Sequence, residues 1–182
     1  MAGRLVTVVG ASGAGKDTLM GAARAALAGD ARFVFARRVI TRPAETNLHP
    51  GIEEHIPMTE AEFAAARESG AFALHWPAHG LHYGIPRGIE ADLAAGRVVV
   101  ANLSRAVLAE AAARYPLRVL LVTAPREVLA ARLAARGRES VAEIALRLSR
   151  EAPLPEGLDV VEVANDSTAE EGAARLLAAL RG

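Results

Sequence analysis

The sequence predicts an α/β fold of three layers, with helices packed on both faces of a parallel central sheet. Three observations carry this. Strands and helices alternate regularly from Val98 to the end of the chain, the pattern of right-handed crossovers on a parallel sheet. Leu5 to Val9 reads LVTVV, a continuous apolar run of the kind buried on both faces. A glycine-rich turn follows that run and opens an amphipathic helix.

Taken in order, Lys16 to Ala28 is the first helix, with Leu19, Ala23, Ala26 and Leu27 on its apolar side. Phe33 to Thr41 reads as a strand leading into Arg42-Pro43, and Ala44 to Pro57 as a loop. Thr59 with Glu62 three residues later has the form of a capping box, so a helix runs to about Ser69. Ala71 to Trp76 is a short strand, His79 to Pro86 a loop, and Arg87 to Ala95 a helix stopped by Gly96. Val98 to Asn102, Arg118 to Thr123 and Asp159 to Val163 are strands. Ser104 to Arg114, Arg126 to Ala135, Val141 to Glu151 and Thr168 to Leu180 are helices. A single domain over 1–182 is expected, and the stretch from about 40 to 85 interrupts the alternation as an insertion.

Composition excludes several classes of function. With 52% hydrophobic residues and zero formal net charge, the chain has a normal soluble core and no global field for nucleic acid or an anionic membrane. The absence of cysteine removes disulfides and thiolate metal sites. The opening MAGRLVTVVGASG is too short for a span and lacks a signal-peptide layout, so a cytoplasmic location is expected. Lys16 is the only lysine beside twenty arginines. A compact ammonium is hard to replace by a guanidinium between phosphates, so its position is informative.

That lysine ends the run Gly10, Ala11, Ser12, Gly13, Ala14, Gly15. Strand, glycine turn, lysine and helix together make a P-loop. Glycines let backbone N–H groups converge on phosphate oxygens, and the helix terminus adds partial positive charge. The expected ligand is ATP with Mg²⁺, and Lys16 is a candidate catalytic residue reaching the transferred phosphate. The motif usually has Ser or Thr after the lysine to hold the metal. Here Asp17 stands there and is the candidate Mg²⁺ ligand, or else simply a favourable first-turn acid. Thr18 is placed on an inner phosphate. Val98 to Asn102 reads VVVAN, without the acid that often completes such a metal site.

Arg132 and Arg136 lie four apart on one helix face. With Arg138, Arg147 and Arg150 they flank Gly137. Arginines on a lid over about 132–150 can clamp donor and acceptor phosphates, and Arg132, Arg136 and Arg147 are the catalytic candidates. Equally, these arginines can form a solvated face with neighbouring glutamates. Arg42 is held extended by Pro43 and is the first candidate for the acceptor's phosphate, followed by Tyr83. His79 and Glu54 are further acceptor candidates. His75, His79 and His82 have no cysteine or nearby carboxylate to complete a zinc set, and Pro77 and Gly80 break any helix between them. Trp76 is read as core.

The chain resembles the guanylate-kinase-like branch of the nucleoside-monophosphate-kinase P-loop fold. The resemblance rests on GASGAGKDTL, VITRP, the TEAEF helix, FALHWPAHGLHYGIP, RLAARGRES and Asn165-Asp166, and it spans nearly all of the sequence. It implies that 40–85 is the acceptor-binding region, that 132–150 is a helical lid, and that Asn165 lies beside the adenine. Glu54 and His75 stand where that branch has a phosphate-binding tyrosine and a base-reading glutamate, and ANLSR replaces an aspartate-rich strand end. With GKD, VITRP, AHGLHYGIP and SRA, the chain is more similar to the ribose 1,5-bisphosphate phosphokinase family of bacterial phosphonate catabolism. That resemblance implies transfer from ATP to the 1-phosphate of ribose 1,5-bisphosphate, giving phosphoribosyl diphosphate and ADP. Arg105 in the SRA turn is then a second acceptor anchor. The implied partner is a small phosphorylated sugar. A homodimer is compatible with the sequence, which does not encode oligomeric state in any readable way. A nucleoside monophosphate kinase and a non-catalytic binding module are the two other readings of the same residues.

Overall fold

β1 (Arg4–Gly10) alternates its side chains between two cores. Leu5 and Val9 enter one apolar cluster, while Val6 and Val8 enter another. This is the period of two of a strand buried on both faces. The computed structural model describes residues 3–11, 13–43, 55–135 and 153–182.

After β1 come α1 (Lys16–Ala26), β2 (Phe33–Phe35), β3 (Val39–Ile40), β4 (Ile56–Pro57), α2 (Glu60–Glu68), β5 (Phe72–Ala78), β6 (Leu81–Pro86) and α3 (Ile89–Ala94). β7 (Val98–Ala101), a 3₁₀ turn (Arg105–Val107), α4 (Leu108–Arg114), β8 (Leu117–Thr123), α5 (Arg126–Ala135), β9 (Asp159–Ala164) and α6 (Ala169–Arg181) follow. The main sheet has the order β2-β7-β1-β8-β9, with every pairing parallel. On one face α1, α5 and α6 contribute Leu19, Ala23, Leu129, Leu176 and Leu180. On the other, Ile89 of α3 and Leu108 and Ala111 of α4 pack with Leu5, Val99 and Val119. The expected α/β fold and its parallel sheet are therefore present.

The interrupting stretch forms its own small sheet, β4-β3-β6-β5. Leu74, Trp76 and Ile85 of that sheet join the cluster on the α3–α4 side. α2 covers it with Phe63, stacked on Phe72 at 4.6 Å. The capping box expected at Thr59 is formed, with Thr59 N–H donating to Glu62 Oε2 at 2.7 Å and Glu62 N–H to Thr59 Oγ1 at 3.2 Å. The backbone N–H of Thr59 holds the Glu62 carboxyl below its ordinary pKa.

Three expectations are corrected in this region. Phe33 to Thr41 is not one strand: β2 pairs with β7 in the main sheet, and β3 pairs with β4 and β6 in the small one. Ala36 turns the chain between them, its N–H donating to Val100 O at 2.9 Å. His79 to Pro86 is not a loop either. His79 (φ 52°) and Gly80 (φ 73°) form a two-residue hairpin tip, with Ala78 paired to Leu81. Both tip residues have positive φ, as a turn matching the twist of the flanking strands requires. Ser104 to Arg114 begins as a 3₁₀ turn, with Ser104 Oγ accepting from Ala106 N–H. Ile56–Pro57 forms β4 within the segment expected as a loop. The helix expected from Val141 to Glu151 falls outside the described residues.

Candidate active site

The phosphate loop stands at the carboxyl end of β1, where a parallel sheet leaves its ligand crevice. Gly13 and Gly15 have φ of 85° and 86°, values that L side chains rarely adopt. Gly15 is the N-cap of α1 and no side chain caps that helix, so its first N–H groups are left for an anion. Lys16 is half-buried in the first turn, while Asp17 and Thr18 are exposed beside it.

The carbonyl side of the loop is held from behind. Asn165, only 3% exposed, donates from Nδ2 to Ala14 O at 2.7 Å. Arg132 donates from Nη1 to Gly13 O and Ala14 O, each at 3.4 Å, and from Nη2 to Asn165 O at 3.2 Å. The backbone N–H of Asn165 donates to Thr123 O at 2.7 Å, so the support reaches β8. Two glycines make room for it. A Cβ on Gly15 would lie 2.6 Å from Asn165 Nδ2, and one on Gly172 in α6 would collide with Asn165 Oδ1. These bonds hold the loop's carbonyls in place, and Ala14 N–H closes the turn on Ala11 O at 3.0 Å. Beside this, Arg175 Nη1 meets Asp166 Oδ1 at 2.7 Å, and that hydrogen bond keeps the Asp166 carboxyl below its usual range.

One cavity adjoins the loop at Ala11, and a second lies in the small sheet. The first, about 420 Å³, runs along the end of β8 and is lined by Ala11, Arg105, Thr123 and Leu154 among others. The second, about 240 Å³, opens in the small sheet. Arg38, Arg42, Trp76, His79, Tyr83 and Ser104 line it. Ser104 and Arg105 are neighbours in the turn after β7, so one turn walls both spaces. That turn is fixed to β1, Leu103 N–H donating to the buried Thr7 Oγ1 at 3.2 Å.

Arg42, His79, Tyr83 and, across the shared turn, Arg105 are thus brought together. Trp76 is core, 4% exposed, and also a wall, its ring stacked on Tyr83 at 5.6 Å and 6°. His75 points to the exposed face of β5, between buried Leu74 and Trp76. Ser12, Glu54, Arg136 and Arg147 lie outside the described residues. Three contributors went unforeseen. Arg38 lies over the Tyr83 ring at 5.3 Å. Asn102 lines the same cavity. His55 is buried and bonded to the Arg42 carbonyl. For Arg38 a signal existed: Arg38, Ile40 and Arg42 alternate in the sequence, and all three line this cavity.

The donor set tests the metal. Among the described residues no group of three or more His, Cys, Asp or Glu side chains could hold an ion. A lone exposed Asp17 beside the loop fits a hard cation carried chiefly by phosphates and water, the habit of Mg²⁺. It does not fit a closed protein cage.

No family model matches the chain. A Brucella melitensis protein named ribose 1,5-bisphosphate phosphokinase PhnN is 53% identical over 173 residues, covering 94% of this chain and 87% of that one. An Acidiphilium cryptum protein of the same name is 51% identical over 178 residues, covering 98% and 92%. The chain belongs to the ribose 1,5-bisphosphate phosphokinase family. Members of this family are kinases, and so use a nucleotide. A bifunctional ribose 1,5-bisphosphokinase-thymidine phosphorylase of Cupriavidus necator is 54% identical over 181 residues, but the match spans only 29% of that longer protein. Among solved structures, guanylate kinase from Anaplasma phagocytophilum aligns with a TM-score of 0.68 at 20% identity, over 99% of this chain and 85% of that one. A gluconokinase from Sinorhizobium meliloti aligns at 0.51 and 20%, over 98% and 91%. At these identities the likeness is one of fold. It places the ribose 1,5-bisphosphate phosphokinase family on the guanylate-kinase scaffold, as the motifs implied.

Proposed function

We propose that the chain transfers the γ-phosphoryl group of ATP to the 1-phosphate of ribose 1,5-bisphosphate, giving phosphoribosyl diphosphate and ADP. The observation that carries this reading is the second cavity. It is small, it presents Arg38 and Arg42 beside Tyr83, and among the described residues no carboxylate lines it. At about 240 Å³ it falls below the roughly 300–1,000 Å³ typical of sites for larger ligands. A phosphorylated pentose matches it better than a whole nucleoside monophosphate.

In the reaction an oxygen of the acceptor's 1-phosphate bonds to the γ-phosphorus, the bond to the β–γ bridging oxygen breaks, and ADP leaves. Little covalent work falls to the protein, which must position and neutralise. The loop N–H groups hold the donor's phosphates, and Lys16 offsets charge on the group in transit. Arg42 and Tyr83 hold one acceptor phosphate, and Arg105 the other from across the shared turn. Mg²⁺, when bound, supplies charge neutralisation between the phosphates, with Asp17 as its protein ligand.

The test is a parallel assay of ribose 1,5-bisphosphate, ribose 1-phosphate, GMP and AMP with ATP–Mg²⁺. The bisphosphate should be the best acceptor. Losing one charge-assisted phosphate contact, worth roughly 1.5–3 kcal/mol, should lower kcat/KM for ribose 1-phosphate, which keeps the accepting group, by about one to two powers of ten. GMP as the best acceptor would overturn the reading. Equal rates on the two ribose phosphates would remove the two-anchor model.

A further inference from the structure

His55 is the most buried ionisable side chain among the described residues, 2% exposed, and the reaction as described gives it no task. Its Nε2 lies 2.9 Å from the carbonyl oxygen of Arg42. A carbonyl only accepts, so Nε2 carries the proton and donates. The strand register makes this bond unexpected. β3 and β4 run parallel, with Val39 opposite Ile56 and Ile40 opposite Pro57. His55 is therefore level with Arg38, and Ile56 N–H indeed donates to Arg38 O at 2.8 Å. An extended chain would carry Arg42 four residues further on, about 13 Å away at roughly 3.3 Å per residue. Instead the chain bends at Thr41 and Arg42 and folds back over the start of β4.

Each end of that bend is fastened. Thr41 N–H donates to His82 O at 3.1 Å, and His82 N–H donates to Thr41 Oγ1 at 2.9 Å. Those bonds hold the entry to the bend against β6. The exit is Arg42-Pro43, and proline has no N–H with which to continue a ladder. His55 supplies the fastening there. Its own backbone is secured in turn, since Arg37 Nη2 donates to His55 O at 3.4 Å. The bend is what aims the Arg42 side chain into the 240 Å³ cavity.

We propose that His55 is a positioning residue for the acceptor: by holding the Arg42 carbonyl it sets the bend that presents the Arg42 guanidinium to a sugar phosphate. The proposal rests on the assignment of Arg42 to the acceptor's phosphate. His55 touches no reacting atom and acts only through Arg42.

The experiment is a double-mutant cycle on His55→Leu and Arg42→Ala, with His55→Gln as the conservative variant, read as separate KM values for acceptor and ATP. His55→Leu should raise the acceptor KM about tenfold, the scale of one lost hydrogen bond at a buried site, with the ATP KM unchanged. His55→Gln, whose amide N–H can reach the same carbonyl, should recover most of the loss. In the Arg42→Ala background, His55→Leu should add nothing, because both changes remove one interaction. Additive effects, an ATP KM that rises in step, or no effect of His55→Leu would overturn the proposal. If His55→Leu does not fold, failure of a folded His55→Gln to keep a near-normal acceptor KM overturns it. If Arg42→Ala leaves the acceptor KM unchanged, the assignment of Arg42 falls, an outcome distinct from failure at His55 alone.

Discussion

The donor side and the acceptor side of this site are built on different plans. The phosphate loop presents backbone N–H groups and is braced behind by Asn165, Arg132 and close-fitting glycines. The cavity proposed for the acceptor presents side chains, gathered by two-residue strands, a hairpin tip and a bend. Backbone groups cannot be exchanged by substitution, so a loop of this kind keeps its ligand while sequences diverge. A cavity lined by side chains can change its acceptor with few replacements. The difference accounts for a chain that shares its fold with a guanylate kinase at 20% identity while lining its acceptor space with Arg38, Arg42 and Tyr83.

Three substitutions break or sharpen this contrast. The largest effect is expected at Lys16, a donor-side candidate that acts through its side chain. Lys16→Ala should lower kcat by about 10²–10³ or more, the usual loss when a charge-stabilising group is removed. Lys16→Arg should be similarly impaired, with thermal unfolding unchanged in both. Near-normal turnover in Lys16→Arg would mean that loop backbone alone carries the transferred phosphate.

A smaller effect is expected at Gly172, remote from any substrate. Gly172→Ala drives a methyl into Asn165 Oδ1 and should loosen the support of the Ala14 carbonyl. The expected result is a stability loss of about 1–3 kcal/mol, the range for overpacking or an unsatisfied buried group. The ATP KM should rise several-fold and the acceptor KM stay put. If both KM values rise together, donor and acceptor sides are not independently built.

The smallest effect is expected at Asp17. Asp17→Ala should raise the Mg²⁺ concentration for half-maximal rate severalfold, a single ligand being lost from an ion held mainly by phosphates. Asp17→Ser should restore part of it. An unchanged Mg²⁺ titration would leave Asp17 as a first-turn acid serving the helix dipole.

The same contrast governs how much could be read from the sequence. Everything that shapes the phosphate loop locally lies between Leu5 and Leu19, so strand, glycines, lysine and helix were legible in one pass. What braces the loop was not. Asn165 was expected beside the adenine, yet its amide lies buried against a carbonyl 151 residues away, a pairing that no local pattern encodes. In the acceptor region the small sheet was missed because β3 and β4 have two residues each, too few for a period to register. Its hairpin tip is His-Gly rather than the usual Asn-Gly or Asp-Gly. Tyr83 and Arg42 were found through the motifs around them. His55 was not, because a buried histidine reaching back across a bend leaves no trace in spacing.

The hydrogen bond from Asn165 to Ala14 also has a consequence for biosynthesis. Ala14 is synthesised within the strand-and-turn unit of β1, and its partner follows 151 residues later. At about 5–20 residues per second, the nascent chain carries an unbraced loop for roughly 8–30 seconds. The brace on the loop thus forms only after β9 docks on β8, long after the glycine-rich motif itself has been made.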